Sequence, residues 1–169
     1  AIGPYDLITG LDNLLKLEKK ARFQMLSANF VDKNGKLLFK PHAVFEAGGV
    51  RVGVIGLTLE TIPEPILEKR APGCKILDPF TAAVKSYATL RPKTDIIIAL
   101  SHLREDTNFS LIEKLKGLEI IIDPYIQQGS HKTWLKEESE WLEEKNNTLF
   151  LRSDGQGARL GIVDVELFK

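Results

Sequence analysis

The sequence of 169 residues is poor in several things at once, and each shortage removes a class of protein. Its single cysteine, Cys74, excludes an internal disulfide framework and a cysteine-rich zinc site. It has no surplus of charge. Lys plus Arg and Asp plus Glu both number 23, for a formal net charge of zero, which argues against nucleic acid or an anionic membrane as partner. Long apolar runs are missing too. The longest, such as Ile96 to Leu100, have the length of a strand, so no membrane-spanning helix or signal peptide is visible within these residues. There is also no initiating methionine. Ala1-Ile2-Gly3 reads like the end of a buried strand, so residue 1 is expected to lie inside a longer chain.

What remains is an ordinary globular composition, 43% hydrophobic and 27% charged, enough for one packed domain over residues 1–169. Leu11, Leu14, Leu15 and Ala21 recur at helical spacing and predict a helix over residues 10–21. Residues 25–29 read as a buried strand. An Asn-Gly turn over residues 32–35 is followed by short β segments at 36–40 and 43–46, and Gly48-Gly49 turns the chain into a strand at 50–57. Three prolines over residues 60–75 predict a loop or a broken helix. Asp78-Pro79 is a helix start, with Phe80, Val84, Tyr87 and Ala88 as the expected apolar stripe. Strands at 95–101 and 118–122 flank a helix at 105–116. A helix is predicted at 132–145, with Trp134 and Trp141 on one stripe, followed by closing strands at 148–152 and 160–168. Strands alternating with helices give a mixed α/β (α+β) layout.

Loops after strands are the usual site positions in such sheets. Three stand out: Gly3-Pro4-Tyr5-Asp6, Ser101-His102-Leu103 and Asp123-Pro124-Tyr125. His102 follows an apolar strand and is suited to bind a metal or carry a proton, but one histidine cannot build a metal site. His42 reads as an exposed hairpin residue and His131 as a solvated loop residue. Asn108-Phe109-Ser110 and Asn146-Asn147-Thr148 fit the N-glycosylation pattern. Gly155-Gln156-Gly157 precedes a strand rather than a helix and is not a nucleotide fingerprint.

Several blocks in order resemble the calcineurin-like metallophosphoesterases, nearest the 5′-nucleotidase and UDP-sugar hydrolase branch. They are residues 25–29 (MLSAN), 35–41 (GKLLFKP), 48–58 (GGVRVGVIGLT), 97–103 (IIALSHL), 117–123 (GLEIIID) and 160–165 (LGIVDV). The resemblance implies two facing mixed sheets flanked by helices, with the family's N-terminal strands and first ligand motifs lying before residue 1. It also implies two divalent metal ions at the strand ends that activate water against a phosphate ester. The family's Gly-Asn-His-Glu block falls on Gly3-Pro4-Tyr5-Asp6, so Pro4 stands at an asparagine ligand and Tyr5 at the acid histidine. The later Gly-His-x-His block falls on residues 123–127, where Tyr125 and Gln127 replace both histidines. His102 carries over as a metal ligand, and His131 does so only if the block is displaced.

The resemblance therefore implies a degenerate, non-catalytic scaffold or partner-binding domain, with no cofactor expected. The alternative is a metal-dependent phosphoester hydrolase (manganese, zinc or iron) whose missing ligands come from an upstream segment or another chain. A protein partner or further chain segment is expected to cover the missing strands. The two-tryptophan helix is expected to close over Tyr5, His102 and Tyr125. A periplasmic or extracellular setting follows from the resemblance alone.

Overall fold

The computed structural model of the chain describes residues 1–59, 62–124, 142–152 and 161–166. A turn of 3₁₀ helix at Pro4–Leu7 leads to helix α1 (Leu11–Lys20), which buries Leu14 and half-buries Leu11 and Leu15. Strands β1 (Phe30–Val31), β2 (His42–Ala47) and β3 (Val50–Leu57) follow. Next come helix α2 (Glu64–Arg70), strand β4 (Lys75–Ile76), helix α3 (Pro79–Leu90) and strand β5 (Ile96–Ser101). Helix α4 (Glu105–Lys114) and strands β6 (Ile120–Asp123), β7 (Leu142–Lys145) and β8 (Thr148–Arg152) complete the order.

Six strands form one mixed sheet in the order β2-β3-β5-β6-β8-β7. The inner four are parallel, and each edge strand is added as an antiparallel hairpin. The β2–β3 turn is Gly48-Gly49, both at positive φ, as the tight two-residue turn requires. Helices α3 and α4 cover one face. Ile55, Leu57, Ile97, Ala99, Ile121 and Phe150 of the sheet pack there with Ala83, Leu90, Leu111 and Ile112. On the other face Val52, Val54, Ile98, Leu100, Ile122, Leu149 and Leu151 are half-buried. A smaller core joins Ile2, Leu7, Leu14, Phe30 and Phe39 beside the sheet. No helix among the described residues is long and apolar enough to cross a membrane.

Mixed α/β architecture with helices flanking a mixed sheet agrees with the sequence reading, but six local expectations need correction. The second sheet, among the described residues, is only the antiparallel pair β1–β4. Residues 25–29 and 36–40 are not regular strands. They are tied down by single bridges, Leu26 to Lys40 and Val31 to Leu37. The proline-rich stretch holds a helix after all. Pro63 precedes α2 and Pro65 lies in its first turn, where no backbone donor is needed. Val84 is exposed, and the buried stripe of α3 is Pro79, Ala83, Ser86 and Leu90. Residues 142–145, expected at the end of a helix, are strand β7, because Asn146 and Asn147 take positive φ (51° and 61°) and turn the chain back on itself. Residues 161–166 form no strand, and Ile162 is 80% exposed, since no described strand supplies a ladder for them. Trp134, Trp141 and the expected lid lie outside the described residues, as does Gly155-Gln156-Gly157.

Candidate functional site

The parallel strands deliver Thr58, Ser101, His102 and Asp123 to one edge of the sheet, just past their C-terminal ends. The His102 amide donates to the Leu57 carbonyl at 3.0 Å, which sets the imidazole beside the end of β3. Above it runs the turn that begins at Gly3. A Cβ added to Gly3 would lie 2.6 Å from His102 Cε1 and 2.9 Å from Nε2, so any larger residue here would force the imidazole to shift. The Gly3 amide donates to Asp6 Oδ2 at 2.8 Å and closes the turn. Gly3 of the first loop thus lies directly against the His102 ring.

The side chains that follow do not add to a site. Pro4 carries no donor atom, and the Tyr5 ring is 72% exposed. His102 itself is half-buried, and its Nδ1 is buried without a hydrogen-bond partner. Burial holds its pKa below the ordinary histidine value, an effect that Asp6 partly opposes. A neutral imidazole with an open ring nitrogen has the chemistry of a metal ligand or a hydrogen-bond partner. The other ligands are missing, however: no three His, Cys, Asp or Glu side chains among the described residues are grouped to hold a metal. These residues do not fit a divalent metal pair. Tyr125, Gln127 and His131 lie outside the described residues.

Sequence reasoning missed the polar network beneath the site. Ser101 Oγ donates to Asn108 Oδ1 at 2.6 Å and accepts from the Leu103 amide at 3.2 Å. Asn108 Nδ2 donates to Asp123 Oδ2 at 3.4 Å, so α4 is pinned to the ends of β5 and β6. All three side chains are buried. Asn108, the first glycosylation pattern, is thus committed to the core, whereas Asn146 of the second stands exposed at the hairpin tip. A second clasp centres on Thr58. Its hydroxyl donates to the Ile2 carbonyl at 2.9 Å and shares a 2.7 Å hydrogen bond with Ser27. Asn29 bonds both the amide and the carbonyl of Thr58. Nothing in the spacing of these residues announces the contacts, which join positions up to 56 apart.

His42 also departs from expectation. It is half-buried rather than exposed, and its Nδ1 is buried with no partner. Burial, with Lys93 adding, lowers its pKa.

No protein-family model matches the chain. A 5′-nucleotidase of Vibrio cholerae is 38% identical over 106 residues, covering 61% of this chain and 19% of that protein. A 5′-nucleotidase of Vibrio parahaemolyticus is 36% identical over 132 residues, covering 76% of this chain and 23% of that protein. The chain therefore spans about a fifth of the length of these curated relatives. Among solved structures, a 5′-nucleotidase precursor from Thermus thermophilus superposes with a TM-score of 0.64 at 27% identity, covering 90% of this chain and 32% of that one. The calcineurin-like phosphoesterase YfkN from Bacillus subtilis gives a TM-score of 0.64 at 20% identity, over 88% of this chain and 59% of that one, and speaks to the fold alone. Sequence and fold thus converge on one lineage: the chain belongs to the calcineurin-like metallophosphoesterases, in their 5′-nucleotidase branch.

Proposed function

We propose that this 5′-nucleotidase-like domain is a non-catalytic relative that serves as a scaffold or partner-binding module. One observation carries the reading. The turn that the family uses for an asparagine ligand and an acid histidine lies against His102, yet it offers Pro4, which has no donor, and an exposed Tyr5. A two-metal phosphoesterase needs several ligands around each ion and a group to assist the leaving oxygen, and His102 alone supplies neither. The half-buried aliphatic face of the sheet, from Val52 to Leu151, supports the binding role. Parallel strands are ordinarily covered on both faces. On this reading a further chain segment or a protein partner covers that face and completes the domain. The setting is periplasmic or extracellular, as the family resemblance implies.

The test is hydrolysis of AMP, UDP-glucose and p-nitrophenyl phosphate by the purified chain with manganese, zinc or iron. The expected result is no metal-dependent turnover and no stoichiometric metal by elemental analysis. Metal-dependent turnover abolished by His102→Ala would favour the hydrolase instead, with its missing ligands supplied from elsewhere.

A further inference from the structure

We propose that strand β2 is an association edge: it pairs antiparallel with β2 of a second copy of this chain, in the register that opposes Val44 to Val44. The two edges of the six-stranded sheet differ. β7 carries Glu143, Glu144 and Lys145 in its four residues, and such charges discourage a further strand. β2 is longer, six residues from His42 to Ala47, with no proline and a single carboxylate, Glu46. Val44 and Phe45 are 44% and 45% exposed, one on each face of the strand. Among the described residues no strand lies on its outer side.

The backbone fixes which groups are free to pair. Gly48 and Gly49, both at positive φ, close a two-residue turn, so Ala47 and Val50 exchange hydrogen bonds across it. The Gly56 amide donates to the Pro41 carbonyl at 3.2 Å, which keeps the same phase at the other end of the ladder. Residues 43, 45 and 47 therefore turn their backbone groups toward β3, and His42, Val44 and Glu46 turn theirs outward. Those three are spaced evenly about Val44. A two-fold axis through that position brings all of them into pairs at once, Val44 with Val44 and His42 with Glu46 in both directions. The side chains fit the same register. Phe45 falls opposite Ala43, large against small, and Glu46 opposite His42, so no like charges face each other. Phe45 also lies across from Val52, so pairing would carry the aliphatic face of one copy on into the next. A strand of another sequence would need a matching pattern of its own, whereas a second copy supplies it by symmetry. This edge is distinct from the sheet face assigned above to a covering segment or partner.

The experiment is sedimentation velocity of the full chain across micromolar concentrations. The expected result is a concentration-dependent equilibrium between monomer and dimer. Val44→Pro removes an outward N–H and no bond to β3, so the circular dichroism spectrum should be retained. With the Val44 donors of both copies gone, dimer affinity should fall about tenfold or more. Oxidative cross-linking reads the register. Opposed Val44 Cα atoms would lie about 5.5 Å apart in a hydrogen-bonded antiparallel pair, inside the range a disulfide spans. Val44→Cys should therefore give a disulfide-linked dimer. Glu46→Cys should not, because each Glu46 is offset from its own counterpart by four residues, roughly 13 Å. The unsubstituted chain, whose Cys74 is buried, is the control. A monomer at every concentration would overturn the proposal. So would a dimer whose affinity Val44→Pro leaves unmoved, or equal cross-linking of the two cysteine variants. Each result stands apart from the hydrolysis test, because no variant alters residues 3–6 or His102.

Discussion

Glycines at positions 3 and 56 make the same demand against different neighbours. A Cβ on Gly56 would lie 2.4 Å from the Leu26 carbonyl oxygen, a backbone group held in place by the Ile2 amide. A Cβ on Gly3 meets an imidazole that can shift. Gly56→Ala is therefore expected at or above the upper end of the roughly 1–3 kcal/mol typical of overpacking, and Gly3→Ala near the lower end. Urea unfolding of both variants measures the order. The histidines add a pH dependence. Both His42 and His102 are held below their ordinary value of 6.5 by burial, so the unfolded chain binds protons more readily. Their neutral burial is accommodated above pH 6.5, and stability falls as pH drops below that value through the lowered folded pKa values. The urea midpoint should decrease from pH 7.5 to 5.5, and His102→Gln should flatten part of that slope. His102 was legible in the sequence because it follows an apolar strand. Asn108 was not, since its partners Ser101 and Asp123 sit on two different strands and meet only through the sheet.

Elements were legible where a local signal decides them. Asp78 before Pro79 marks the start of α3, and its side chain accepts from the Thr81 amide at 2.8 Å. Those hydrogen bonds hold the Asp78 pKa below its usual value, consistent with a working cap. Asp78→Ala should cost about 1 kcal/mol in thermal or urea unfolding, as for a lost N-cap, whereas Asp78→Ser should recover most of it. Within α3 the register was less legible. The helix approaches the sheet on Ala83 and Ser86, small residues that bring its backbone close, so the larger Val84 is left facing water. Residues 142–145 misled for a different reason. Their run of glutamates and lysine has helical propensity, and what overrides it is pairing with β8, reinforced by Lys145 over the Phe109 ring at 4.4 Å and by Arg152 bridging Glu143 and Glu105. Asn-Asn between two short segments was the available turn signal.

Across the whole molecule, the α/β class was readable because strands and helices alternate through residues 50–123, while the pairing order was not. Parallel neighbours are set by crossovers, and nothing in a single strand records which other strand lies beside it. That order has a consequence in time. The β2–β3 hairpin closes over two glycines and needs only local chain, so it can form within microseconds. Adding β5 requires closing the chain between Arg51 and Asp95, 44 residues apart, whose side chains meet at 3.2 Å beneath the strand pair. The entropic cost of that loop comes before the β3–β5 contacts repay it, so docking of β5 on the hairpin is expected to limit the refolding rate. In stopped-flow experiments, truncating Ile97 should slow refolding, whereas truncating Leu151 near the far edge should chiefly accelerate unfolding. The chain would then grow its sheet outward from the turn at Gly48-Gly49, reaching the hairpin of β7 and β8 last.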